Sequence, residues 1–141
     1  MVDAGPLYAY VDKRDKYQAS SLALVETHPG PLIVPTLVIP EVAHFLRKCR
    51  PGGRPPGVEA ELKFLTDLAG DAFQVEPVAP EDWLRIAQLV KKYKNLPLGT
   101  VDASVVTTAE RLHINEVATI DREDFSVVRP RHVESFTLYG L

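Results

Sequence analysis

Cysteine is almost missing: Cys49 is the only one in 141 residues. A single thiol builds no internal disulfide and no cysteine-held zinc site, and it fits a reducing compartment. Long hydrophobic runs are missing too, and none approaches the ~20 residues of a membrane span. No basic-then-apolar leader opens the chain, which carries an acid, Asp3, at its third position. Basic excess is absent, since the formal net charge is -3; this excludes binding through a histone-like basic tail but not a locally basic surface. The histidines, His28, His44, His113 and His132, form no HxH or HxxxH pair, which argues against zinc. A glycine-rich loop ending in GK[ST] is lacking, which disfavours nucleotide hydrolysis. What remains is the expectation of a soluble, cytoplasmic protein without a membrane segment.

The chain is 45% hydrophobic and 25% charged, enough apolar material for a core and too much for a disordered tail. Its length fits one domain spanning residues 1–141. Short β-branched runs alternate with longer helical patterns. "PLIVPT" (31–36), "FQVEPV" (73–78), "EVATI" (116–120) and "SFTLYG" (135–140) read as strands, and "MVD" as the end of a first one. Helices are expected over 15–28, 40–49, 58–70, 80–94 and 100–113. Pro40 suits a first turn, Gly70 a stop and Thr100 an N-cap, with Trp83, Ile86, Ala87 and Val90 facing inward. "RPGGRPPG" (50–57) is too rich in proline and glycine for either element and reads as an exposed loop. Strands alternating with helices predict an α/β fold: a mainly parallel central sheet of four or five strands with helices on both faces. Sites in such sheets form at the carboxyl ends of the strands.

Four carboxylates fall at those ends. Asp3 follows the first strand, Glu41 opens the helix after "LIV", Asp102 opens the helix over 100–113, and Asp121 leaves "VATI" directly. Each sits among apolar or small residues: "MVDAG", "VIPEVA", "GTVDASV", "ATIDR". Singly, each has an ordinary explanation. Asp3 suits a turn, Glu41 and Asp102 suit the positive end of a helix, and Asp121 (or Asp124) suits an Asx turn. Brought together, four carboxylates repel and their proton affinities rise unless a cation neutralises them. A hard divalent ion, Mg²⁺ or Mn²⁺, takes oxygen ligands, and a carboxylate-held metal with open water positions is the apparatus of phosphodiester hydrolysis.

The segments "VDAGPLYAYVD" (2–12), "VIPEVAHFLR" (38–47), "LPLGTVDASVVTTAERLH" (96–113) and "ATIDREDF" (118–125), in this order, resemble PIN-domain proteins, and among them VapC-type toxin ribonucleases. The resemblance covers essentially the whole chain. It implies that Asp3 and Asp102 are the core metal ligands, with Glu41 a ligand or water-positioning acid and Asp121 a fourth acid. Thr119 matches a hydroxyl position lining the same site. It further implies a Mg²⁺- or Mn²⁺-dependent endoribonuclease acting as the toxin of a toxin–antitoxin pair. Such a toxin forms a homodimer and is inhibited by a small cognate antitoxin. Two features depart from the family pattern. Only Met1 and Val2 precede Asp3, so either the first strand is short or the natural start lies upstream. Lys94 and Asn95 stand where many members carry a further acid.

Two basic groups are candidates for contacting RNA phosphates: Lys13 and Arg14 close after Asp3, and Arg47, Lys48 and Arg50, with Arg54 beyond. An ordinary solvated face explains them equally well. Apolar residues on the 15–28 and 40–49 helices, Phe45 and Leu46 among them, suggest a surplus available to a protein partner. His44 lies one turn after Glu41 and is more simply a packed or surface residue. Two alternatives stand beside the nuclease: a non-catalytic PIN-like RNA-binding or scaffold module, and another Mg-dependent phosphoryl-transfer α/β domain. Against the latter, Gly5 occupies the place of a haloacid-type phosphatase's second aspartate. Arg122 stands where a receiver domain would want lysine.

Overall fold

The computed structural model describes residues 1–48 and 54–141. Strand β1 (Leu32–Pro35) pairs in parallel with β2 (Phe73–Glu76), Leu32 opposite Phe73. Strand β3 (Glu116–Val117) pairs in parallel with β4 (Thr137–Leu138). The chain start joins the two pairs. Val2 N donates to the Ile33 carbonyl at 2.9 Å, Asp3 N to the Ala118 carbonyl at 3.0 Å, and Ala118 N to the Met1 carbonyl at 2.9 Å. The hydrogen-bonded order is therefore β2, β1, residues 1–3, β3, β4, and Val2 and Ala118 form a parallel bridge.

Parallel neighbours need crossovers, and helices supply them. They are α1 (Ala4–Ala9), α2 (Gln18–Thr27), α3 (Val38–Lys48), α4 (Val58–Asp67), α5 (Asp82–Lys92), α6 (Thr100–Leu112) and α7 (Arg122–Val127). Helix α1 packs on α2 and α3, α3 on α4, and α5 on α6, while α3 and α6 both reach β1. The architecture is the α/β sheet flanked by helices that the alternating pattern predicts. Each element has a local reason. Helix α3 buries Val38, Val42 and Leu46, a single stripe at i, i+4, i+8. Helix α6 buries seven consecutive residues, Ala103–Ala109, because it runs through the interior; Thr107 donates its hydroxyl to the Ala103 carbonyl at 2.8 Å, satisfying a polar group there.

Several expectations are corrected. The strands are shorter than their apolar runs. Helix α2 starts at Gln18 because Asp15 accepts from Tyr17 N at 2.8 Å and holds the preceding residues in a turn. Two six-residue helices, α1 and α7, were not foreseen: "AGPLYA" contains glycine and proline, and "REDFSV" is too short to show a period. Gly99, rather than Thr100, is the N-cap of α6. Ile86 is buried and Val90 packs on the core as expected, but Trp83 is 51% exposed and Ala87 is also exposed, and Leu89 is buried in their place. The apolar surplus is not on α2 and α3, where Leu24 and Leu46 are buried. It lies on α4 (Val58, Leu62, Leu65) and α5 (Trp83, Leu84). The expected helix over 40–49 is described as far as Lys48; Cys49, Arg50 and residues 51–53 lie outside the described residues.

Candidate active site

Asp3 is the first residue after the inserted chain start and the N-cap residue of α1. Its neighbour across the sheet is the exit of β3, and the approach there is tight. A Cβ on Gly5 would stand 3.1 Å from the Ile120 Cβ, so glycine lets α1 settle against residue 120. That contact brings Asp3 towards Asp121. Asp121 in turn begins α7, accepting from Asp124 N at 3.4 Å, so its ordinary capping role and its place at the strand exit coexist. Glu41 lies in the first turn of α3 and Asp102 in the first turn of α6.

These four acids line one open cleft of about 530 Å³, together with Ala4, Gly5, Tyr8, Phe45 and Ile120. Thr119 is buried beneath it. Its hydroxyl donates to Asp3 Oδ2 at 2.9 Å and accepts from Asp121 N at 3.0 Å, so one side chain orients two acids. Asp3 Oδ1 is buried without a hydrogen-bond partner. A buried acceptor left unmade is costly.

The electrostatics follow from this crowding. Burial pushes Asp3 up to about 6, with Glu41 and Asp121 adding repulsion against the opposing bonds from Ala4 N and Thr119. Burial also pushes Asp102 up to about 6, and its anionic neighbours are Asp3, Asp121 and Asp124. Glu41 is raised by burial and by Asp102. Asp124, which does not line the cleft, is raised by burial and by Asp121. Among the described residues no lysine or arginine pairs with Asp3, Glu41, Asp102 or Asp121, and such a set favours either a shared proton or a bound cation. All its donors are oxygens, which suits Mg²⁺ or Mn²⁺. Among the described residues no three or more acids, histidines or cysteines form a cage that could hold a metal ion. An ion that keeps several waters and takes only one or two carboxylates directly needs no such cage.

The basic candidates divide differently from their order in the chain. Lys13 and Arg14 line a second hollow with Arg54 and Lys63. Arg47 and Lys48 line a third, with Pro40, His44 and Glu61, where Arg47 pairs with Glu61 at 2.8 Å. His44 thus faces away from the acids. Arg50 lies outside the described residues. The cleft-lining role of Tyr8 was not anticipated from "GPLYAY"; only the unforeseen α1 turns it to the acids.

A family model of the PIN domain matches residues 1–129. A curated relative, Ribonuclease VapC26 of Mycobacterium tuberculosis, is 28% identical over 138 residues, 98% of each chain. A crystal structure of Mycobacterium tuberculosis VapC20, described as a sarcin-ricin loop cleaving toxin, superposes with a TM-score of 0.74. It covers 87% of this chain and 90% of that one at 16% identity, which speaks for the fold alone. The matched span takes in all four acids, Thr119 and every strand of the sheet but β4, and the chain belongs to the PIN domain family.

Proposed function

We propose that this protein is a Mg²⁺- or Mn²⁺-dependent endoribonuclease, the toxin of a toxin–antitoxin pair, with residues 1–141 forming one nuclease domain. The observation that carries the reading is the cleft: Asp3, Glu41, Asp102 and Asp121 line it together, no lysine or arginine among the described residues pairs with them, and a buried Asp3 oxygen has no partner there. The relative named as a ribonuclease supports RNA as the substrate.

In this reading Asp3 and Asp102 hold the metal, Glu41 holds it or positions the attacking water, and Asp121 acts directly or through water. Once bound, such an ion lowers the pKa of a water and neutralises charge developing on the phosphate. The chain's own work is orientation. Thr119 fixes Asp3 Oδ2, and Oδ1 is left buried without a partner among the described residues. Asp102 lies near the positive end of α6, which favours its ionised form against the pull of burial. Attack by water leaves 5′-phosphate ends and needs no 2′-hydroxyl. The protein works in the cytoplasm as a homodimer under a small antitoxin. The exposed Val58, Leu62, Leu65, Trp83 and Leu84 are surface that such partners would cover. Among the described residues no helix is long and apolar enough to cross a membrane.

The test is cleavage of a structured RNA pool by purified protein in Mg²⁺ or EDTA, with Asp3→Asn and Asp102→Asn alongside. The expected result is metal-dependent cutting, 5′-phosphate products and loss in both variants. Products ending in 2′,3′-cyclic phosphate, or undiminished cutting in EDTA, would overturn it.

A further inference from the structure

Four cations converge in the hollow between the end of α1 and the start of α4, where Lys13, Arg14, Arg54 and Lys63 stand with Val11, Pro55, Pro56 and Ala60. Asp12 and Glu59 are its only carboxylates, so the lining is net positive in a protein of net charge -3. The hollow measures about 500 Å³. It is also braced. Arg14 donates through Nη2 to the Arg54 carbonyl, tying two distant segments together. Pro55 and Pro56 fix the backbone that follows Arg54, and Gly57 N donates to the Leu46 carbonyl at 2.9 Å. Asp12 is 8% exposed and accepts from Arg14 N at 3.1 Å and from Arg14 Nε at 3.3 Å, holding that guanidinium in place. Lys63 is paired with Asp67. Among the described residues Lys13 and Arg54 enter no ion pair.

A hydrogen bond links this hollow to the acidic cleft. Tyr8 lines the cleft, and its hydroxyl donates to Asp12 Oδ2 at 3.2 Å. The two sites are therefore neighbours along the chain: Ala4, Gly5 and Tyr8 of α1 (a helix of six residues, about 9 Å long) line the cleft, and Val11, Asp12, Lys13 and Arg14, just beyond its end, line the hollow. A polyanion strand needs cations beside a cleft that is itself anionic, because phosphates are repelled by carboxylates. We propose that the Lys13–Arg14–Arg54–Lys63 hollow is a phosphate-binding subsite for single-stranded RNA. It holds a backbone phosphate away from the scissile one and feeds the strand along α1 to the cleft. This rests on the nuclease reading above. The contact is to phosphate, so it sets affinity and register rather than base preference. Arg14, held by Asp12, is the oriented donor; Lys13 and Arg54 supply the unpaired charge.

The experiment is binding of a fluorescent single-stranded oligoribonucleotide to the full-length protein in EDTA across a salt series. Wild type is compared with the double variant Lys13→Ala/Arg54→Ala and with Arg14→Ala, and cleavage in Mg²⁺ is followed in parallel. The double variant should bind about tenfold more weakly, and its log K against log salt should be shallower by about 1.4, the share of two phosphate contacts on a single strand. The conservative pair Lys13→Arg/Arg54→Lys should keep most of the binding, which a folding defect would not allow. Wild-type affinity and salt slope in the double variant, with RNA still bound and cut, would overturn the subsite alone. Wild-type protein that neither binds nor cuts RNA would overturn the nuclease reading as well. Loss of binding to a polyglutamate peptide in the double variant, with RNA binding intact, would reassign the hollow to an acidic protein and overturn the proposal.

Discussion

Two regions of this molecule are rich in carboxylates, and they are built in opposite ways. On the face between α5 and α6, Glu76, Asp82 and Glu110 each have a guanidinium. Arg85 grips Glu110 with two bonds of 2.8 and 2.7 Å, and Arg111 reaches Glu76 at 2.7 Å and Asp82 at 3.2 Å. Glu110 is held below its ordinary range although burial works against it, chiefly because Arg85 bonds the ionised form. In the cleft the neighbours of each acid are other acids, and Asp3 and Asp102 are pushed up to about 6. A satisfied carboxylate serves the fold. An unsatisfied one costs the fold stability and is tolerated where it does chemistry.

The largest expected contrast sets Asp3→Asn or Asp102→Asn against Glu110→Ala. The first pair should lose at least about a hundredfold in RNA cleavage, while thermal unfolding stays at or above wild type because a destabilising charge is gone. Glu110→Ala should do the reverse, costing about 2 kcal/mol in denaturant unfolding by stranding a mostly buried Arg85. Its cleavage rate should hold at temperatures where it is folded. A stability loss in Asp3→Asn equal to that of Glu110→Ala would erase the distinction.

Next in size is Thr119→Val, which keeps the shape and removes the hydroxyl shared by Asp3 and Asp121. Cleavage should fall about tenfold, and the acid limb of the pH–rate profile should move to higher pH, because Asp3 loses a bond that favours its ionised form. A uniform loss at all pH values would mark Thr119 as mere packing.

The pH dependence of stability separates the regions again. Asp3 and Asp102 bind protons more tightly folded than unfolded, so their contribution is present below the unfolded pKa near 3.8 and is lost as pH rises to about 6. Glu110, lowered on folding, contributes above its unfolded pKa of 4.5 and loses that contribution as pH falls. Melting in EDTA should show wild type gaining less stability than Asp3→Asn between pH 4 and 6, and Mg²⁺ at pH 7.5 should close the gap. Identical pH profiles for the two proteins would sink this account. The smallest effect belongs to the exposed stripe of α4. Leu62→Ser should change unfolding by less than about 0.5 kcal/mol, since Leu62 is 53% exposed.

Much of the site was legible because each acid sits at an element boundary that period and turn chemistry mark. "LIV" then "PEVAHF" places Glu41; "GT" before "VDASVV" places Asp102; "VATI" before "DR" places Asp121. Boundaries hidden by short or proline-containing segments were not legible. Without α1, nothing in "AGPLYA" says that Tyr8 faces the acids. Helical spacing puts Trp83 on one face with Ile86, Ala87 and Val90, but the face of α5 that packs is decided by α6, whose all-round burial no local pattern announces.

By itself the sequence determined the α/β alternation, the four acids at its turning points and that one cysteine builds no internal disulfide, since these depend on local periodicity and on residue type. Only the tertiary structure decided which charges meet. Arg54, adjacent in sequence to the Arg47–Lys48 group, joins Lys13 and Arg14 forty residues earlier. Arg47 is taken by Glu61. Coulomb energy depends on distance in space and on burial, and the chain's order carries neither.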